Sequence, residues 1–197
     1  MKNFLKSYNP ENCIKAPAEI IAKYEGKVPD SLIELWKTHG LGKYNNGLLE
    51  IVNPDDFNDT LWMYLGREVE YYVPFATSAF GELFYYRLLT DPEDLEEGDE
   101  VVEDVCVVEI HRRVINTCAW SLDEFFNDYL CNPEVMSDLL RRELFEQAIE
   151  KIGSLAKNEV FYFVPALCIG GAEALEFVEK GNIQIHLEIL FDLGNVS

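Results

Sequence analysis

The sequence of 197 residues lacks several short motifs that mark common enzymes and nucleotide-binding proteins. No GxSxG nucleophile elbow occurs, and Gly170-Gly171 belongs neither to a P-loop nor to a GxGxxG fingerprint. The three histidines, His39, His111 and His186, are isolated, and no HxxxH spacing places two metal ligands on one helix face. We therefore predict a protein that is not an enzyme and has no catalytic residue, metal site or cofactor.

Basic residues are scarce, because 16 Lys and Arg stand against 36 Asp and Glu, a formal charge of −20. Such a surface repels the phosphate backbone, which argues against direct nucleic-acid binding and favours association with a basic protein. The five cysteines are odd in number and form no CxxC pair, so neither a disulfide framework nor a zinc ribbon is expected. We interpret them as reduced thiols.

Long apolar runs are also missing. The longest candidate, Val160 to Ile169, has about half of the ~20 residues that a membrane span needs, and charged residues flank it. The first residues, MKNFLKSYNPENC, do not combine a basic region, an apolar region and a cleavage site of small residues as a secretory signal does. The expectation is a cytoplasmic protein with no membrane association.

Helix and strand signals alternate in the first 120 residues. Two helices are predicted at Ala18–Gly26 and Pro29–Gly40, because glycine ends each and Pro29-Asp30 opens the second. Trp36 lies on the apolar side of the second helix and is expected to point inward. Asn53 is expected to cap a short helix that begins at Pro54.

Four later segments are rich in aromatic and β-branched residues and predict an antiparallel meander. They read YYVPFATSAF, GELFYYRLL, EVVEDVCVVEIHR and RVINTCAW. After Trp120 the pattern becomes helical, with a capping box formed by Ser121 and Glu124 and one long helix predicted over Pro133–Gly153. The sequence thus predicts an α+β protein, with an N-terminal mixed domain around an antiparallel sheet at 1–120 and a smaller, mainly helical domain at 121–197.

The most acidic stretch, DPEDLEEGDEVVED at 91–104, has nine carboxylates and no basic residue. Its spacing does not fit an EF-hand, so calcium binding is not predicted. It is either a solvated hairpin loop or a charged segment that attracts a basic partner electrostatically. The candidate partner-binding residues are Asp94, Glu96, Glu97, Asp99 and Glu100, together with Glu82, which is either an exposed strand residue or a contact.

Three blocks resemble a known family. PDSLIELWKTHGLGKYNNGLLEIVNPDDF at 29–57 and PFATSAFGELFYYR at 74–87 look like the GAD-like domain. GSLAKNEVFYFVPALCIGGAEALEFVEK at 153–180 resembles the domain that accompanies it in immunity proteins of type VI secretion DNase toxins. The resemblance implies a cytoplasmic antitoxin that binds and silences a cognate nuclease, without catalysis of its own.

Two other functions stay open. A small-ligand-binding regulator would use a cleft between the two halves, where Tyr85, Tyr86 and Trp120 could stack on a ligand. An adaptor of the same fold would have no toxin partner. Phe161, Tyr162, Phe163 and Val164 are expected to be core, and Gly170-Gly171 is expected to form a tight turn.

Overall fold

A computed structural model describes residues 1–90 and 101–195. The strands are β1 Pro10–Ile14, β2 Leu41–Tyr44, β3 Leu49–Ile51, β4 Tyr72–Ser78, β5 Leu83–Leu88, β6 Glu103–Glu109, β7 Val114–Ala119, β8 Glu159–Phe163 and β9 Val178–Asn182. The α-helices are α1 Lys2–Ser7, α2 Ala18–Tyr24, α3 Asp30–Thr38, α4 Asn58–Leu65, α5 Leu122–Glu124, α6 Arg142–Ile152 and α7 Ile183–Asn195. Two π-helical segments, Phe125–Tyr129 and Val135–Leu139, lie between α5 and α6.

Strands β1 to β7 form one antiparallel sheet in which every strand lies beside its neighbours in sequence, and β8 and β9 form a separate hairpin. The predicted meander of four strands is confirmed as β4 to β7. The two N-terminal helices and the Asn53 cap, which accepts a hydrogen bond from the Asp55 N–H, are also as predicted. The α+β fold class follows directly.

One face of the sheet carries the main core. Its side chains pack against α1, α3 and the π-helical segment at 125–129, with Trp36, Phe75 and Phe125 completely buried. Trp36 therefore points inward, as the helix pattern predicted. The same cluster includes Phe161 and Phe163 of β8, so residues from both halves of the chain share it. The boundary near residue 120 stays a prediction, although the large sheet ends at Ala119 and α5 begins at Leu122.

The other face is covered unequally. Over β4 to β6, Leu83 and Val108 pack against Leu61 of α4 and Leu187 of α7 in a second apolar cluster. Over β2 and β3 this face is polar and borders a cavity. Alternation along β3 produces the difference, because Leu49 and Ile51 point to the main core and leave Glu50 on the other side.

The prediction of one helix over 133–153 is wrong. The π-helical segment ends near Leu140, Arg141 adopts φ of +52°, and α6 begins only at Arg142. A left-handed backbone is uncommon for a residue other than glycine and cannot continue a right-handed helix. The break turns the Arg141 side chain into the interior, where it is 5 % exposed.

Candidate functional site

The two halves of the chain meet at the turn between β4 and β5. Gly81 has φ of +94° there, and a Cβ on it would lie 2.8 Å from Ile110 Cδ1. Because Gly81 has no side chain, the turn can pack closely against its neighbours. The Phe161 N–H donates to the Ala79 carbonyl at 2.9 Å. The Phe80 ring stacks on the Phe163 ring with centroids 5.5 Å apart. The turn is thereby fixed against the C-terminal hairpin by both main chain and side chains.

Glu82 lies in this junction with no solvent exposure. Arg141 donates to its carboxylate at 2.5 Å, and the Ser78 hydroxyl donates to the other oxygen. Burial opposes ionisation of Glu82, but Arg141 and the hydrogen bond from Ser78 outweigh it and hold the pKa of this carboxyl below its usual value. The expectation that Glu82 is an exposed strand residue is therefore wrong, because its side chain is fully buried. Contact of Glu82 with a partner stays a prediction, and in this structure the side chain has no exposed surface with which to make it.

The ion-pair network continues outward from Arg141. Its second nitrogen donates to Glu173 at 3.1 Å, and Arg112 lies 3.8 Å from the same carboxylate. His111 is also buried and donates from Nε2 to the Phe80 carbonyl at 2.9 Å. Burial lowers the pKa of His111, which favours the neutral ring. Three arginines form ion pairs within the protein: Arg112 with Glu109, Arg141 with Glu82, and Arg142 with Glu146.

The segment at 158–171, which lies within the block that resembles the immunity-protein domain, is partly buried and partly exposed. Phe161 and Phe163 are buried, whereas Tyr162 is half-buried and Val164 is exposed, so only part of the predicted apolar run is interior. Gly170 has φ of +94°, and a Cβ on Gly171 would overlap the Pro165 carbonyl oxygen. The predicted tight turn at the double glycine is confirmed, and it places Glu173 within reach of Arg141.

Four exposed apolar residues lie at the end of the sheet where β5 ends, β6 begins and β7 ends. The Leu89 N–H donates to the Val102 carbonyl at 2.8 Å, which closes the β5–β6 connection. Leu89, Val101 and Val102 are 42 to 52 % exposed, and Trp120 at the end of edge strand β7 is 68 % exposed. We call these four residues the apolar end patch. Asp94, Glu96, Glu97, Asp99 and Glu100 lie outside the described residues, in the segment that connects Thr90 to Val101.

The proposed aromatic ligand cleft is not formed by its predicted residues. Tyr85 and Tyr86 are buried within the sheet, while Trp120 is at the surface. Tyr85 belongs to the second apolar cluster and Tyr86 to the main core, so the two rings point to opposite faces. This follows from the alternation of side chains along β5.

A cavity of about 660 Å³ lies instead beside β1, β2 and β3. Its other walls include Asn53, Phe57, Leu155, Lys157 and Ile183, so both halves of the chain line it. Lys43 and Glu50 are cross-strand partners, as are Glu50 and Thr77, and all three border the cavity. Sequence analysis missed Glu50, although its position between apolar Leu49 and Ile51 is a signal that it faces away from the main core.

Within residues 1–90 and 101–195, no group of three or more His, Cys, Asp or Glu side chains is arranged to hold a metal ion. All five cysteines are free thiols. No helix in these ranges is long and apolar enough to cross a membrane.

Two protein families match successive parts of the chain. Residues 1–91 match the family model of the GAD-like domain. Residues 119–194 match the model described as T6SS immunity protein Tdi1, C-terminal. The chain therefore contains a GAD-like domain at 1–91 and, at 119–194, a C-terminal domain of the type found in the T6SS immunity protein Tdi1.

A solved structure supports the fold over nearly the whole chain. The crystal structure of Atu4351 from Agrobacterium tumefaciens superposes with a TM-score of 0.68 at 17 % identity, covering 96 % of this chain and 87 % of that one. At this identity the likeness concerns the fold. No curated protein matches the sequence.

Proposed function

We propose that this protein is a cytoplasmic immunity factor that binds a basic DNase toxin of a type VI secretion system and blocks it without catalysis. The match of residues 119–194 to the immunity-protein model carries this proposal. The formal charge of −20 supports a basic partner, because opposite net charges speed the encounter of two proteins.

The apolar end patch and the acidic segment are the proposed docking surface. Trp120 is well suited to anchor an interface, since exposed tryptophans are frequent among residues that dominate binding energy. Seven of the ten residues at 91–100 are acidic, and in the sequence this stretch lies between Leu89 and Val101 of the patch. A basic nuclease surface would meet both features together.

The direct test is coexpression with candidate toxins from the same genome. We expect one of them to lose its toxicity and to copurify with this protein. The Trp120→Ala variant should weaken that complex by about 2 kcal/mol or more if Trp120 is an anchor, while the fold stays intact. Failure of every candidate nuclease to bind, or unchanged affinity of the variant, would contradict the proposal or the docking surface respectively.

The acidic segment is tested by replacing Asp94, Glu96, Glu97, Asp99 and Glu100 with Asn or Gln. If these side chains steer the toxin, the association rate falls and loses its salt dependence, while the dissociation rate barely changes. A matched control neutralises five exposed carboxylates elsewhere, namely Glu19, Glu34, Asp59, Glu134 and Glu150. Equal rates for the two variants would show that only net charge matters.

A further inference from the structure

The cavity beside β1 to β3 contains a carboxylate without a hydrogen-bond donor. Glu50 is half-buried in its wall, and no described residue donates to it or lies within ion-pair distance. The contrast with Glu11 on the same wall is clear, because the Glu11 carboxylate accepts the Asn46 N–H at 2.7 Å. A partly buried, ionised carboxylate is costly unless a donor satisfies it.

The cross-strand partner of Glu50, Lys43, forms no ion pair with it. The Lys43 ammonium donates to the Ala156 carbonyl at 2.9 Å and also to the Leu155 carbonyl, so it ties β2 to the C-terminal half. Burial raises the pKa of Glu50, and the charges of Lys43 and Lys157 offset this only in part. The cavity therefore has an unused acceptor in its wall.

The remaining wall is mixed, since Lys15, Lys157 and Asp56 border it, and one part of it is apolar and suits an aliphatic chain. Val52, Phe57, Leu155 and Ile183 are buried apolar residues that border the cavity. The volume of about 660 Å³ lies within the range of about 300–1,000 Å³ found for small-molecule sites. The Glu50 carboxylate beside this apolar part of the wall matches a group that combines a cationic head with a methylene stem.

We propose that this cavity binds a guanidinium or primary ammonium group, with Glu50 as its acceptor and the apolar wall residues around its stem. The head group would donate to the Glu50 carboxylate, and a guanidinium would do so through two parallel hydrogen bonds. Such a group is found on free amines and on the Arg and Lys side chains of proteins. The inference does not depend on the proposed function, since a ligand of either source fits the same chemistry.

Calorimetric titration with two probes tests this site. Agmatine represents a free cation, and a blocked Gly-Arg-Gly peptide represents a protein side chain. We expect one-to-one binding of at least one probe and at least tenfold weaker binding to Glu50→Gln. Tighter binding of agmatine would indicate a free amine as the source, and tighter binding of the peptide would indicate a protein side chain.

The matched control is Glu11→Gln. Its side chain borders the same cavity, and its amide oxygen still accepts the Asn46 N–H, so it should bind the better probe within about twofold of the unmodified protein. Thermal melting verifies that both variants are folded. The proposal is overturned if neither probe binds at millimolar concentration, if Glu50→Gln binds as well as the unmodified protein, or if Glu11→Gln loses binding equally.

Discussion

Two carboxylates where the large sheet meets the C-terminal half have opposite environments. Glu82 is fully buried and bonded to Arg141 and Ser78, so its pKa is lowered although burial acts against ionisation. Glu50 is less buried but accepts no hydrogen bond from a described residue, so burial dominates and its pKa is raised. Partners rather than depth decide which carboxylate stabilises the fold and which one is available to a ligand.

The largest expected effect comes from removing the partner of Glu82. Arg141→Leu leaves a buried, unpaired carboxylate, which should reduce the free energy of unfolding by about 3–5 kcal/mol. Urea denaturation measures this loss. Arg142→Leu is the control, because its ion pair with Glu146 is exposed and should contribute less than about 1 kcal/mol. Similar losses of unfolding free energy in both variants would show that the buried Glu82–Arg141 pair stabilises the fold no more than an exposed ion pair does.

Acidification should weaken the same junction. The buried His111 ring has a lowered pKa and lies near Glu82, Arg141 and Glu173. The unfolded chain takes up a proton on this residue below about pH 6.5, which the folded protein resists, so the free energy of unfolding falls as the pH falls. Glu82, whose pKa is also lowered, adds to the loss below about pH 4.3.

Urea denaturation between pH 7.5 and 5.5 checks this dependence. His111→Leu should flatten it, because the titrating ring is gone, although the variant also loses the bond to Phe80. His39→Leu, at an exposed position, should leave the dependence as it is. An unchanged slope in His111→Leu would assign the acid sensitivity to other groups.

The cavity should respond to pH in the opposite direction. Because the pKa of Glu50 is raised, its ionised form destabilises the folded protein above that pKa, and the penalty disappears below the unfolded value of about 4.3. Glu50→Gln should therefore stabilise the protein at pH 7, because the amide carries no charge to desolvate. The difference should vanish near pH 4, and a loss of stability at pH 7 would mean that Glu50 has a structural partner after all.

The smallest change in the free energy of unfolding is expected for a substitution outside both the Glu82 junction and the Glu50 cavity. Trp120→Ala should change the free energy of unfolding by no more than about 0.5 kcal/mol, because the side chain is 68 % exposed. Trp36→Ala is the counterpart and should cost about 3–5 kcal/mol, since that ring is fully buried. A large loss in Trp120→Ala would contradict its assignment to a docking surface.

Local sequence patterns predicted much of the fold, because strand propensity and helix capping depend on residues that are close in sequence. Enrichment in aromatic and β-branched residues predicted the four strands from Tyr72 to Ala119, and the Ser121–Glu124 capping box marked the start of α5. The break at Arg141 escaped prediction, because a sequence favourable to helix continues through it and nothing local requires a positive φ. The patterns also did not show that Tyr85 and Tyr86 would both be covered.

The sequence by itself determined the acidic charge, the strand meander, the helix caps and the glycines that permit tight turns. Only the tertiary structure decided which carboxylates have hydrogen-bond donors and whether their pKa values are raised or lowered. Glu82 and Arg141 are 59 positions apart, and Lys43 reaches a carbonyl 112 positions away. The free energy of a buried charge depends on the donors that the folded chain places around it, and residues distant in sequence supply those donors.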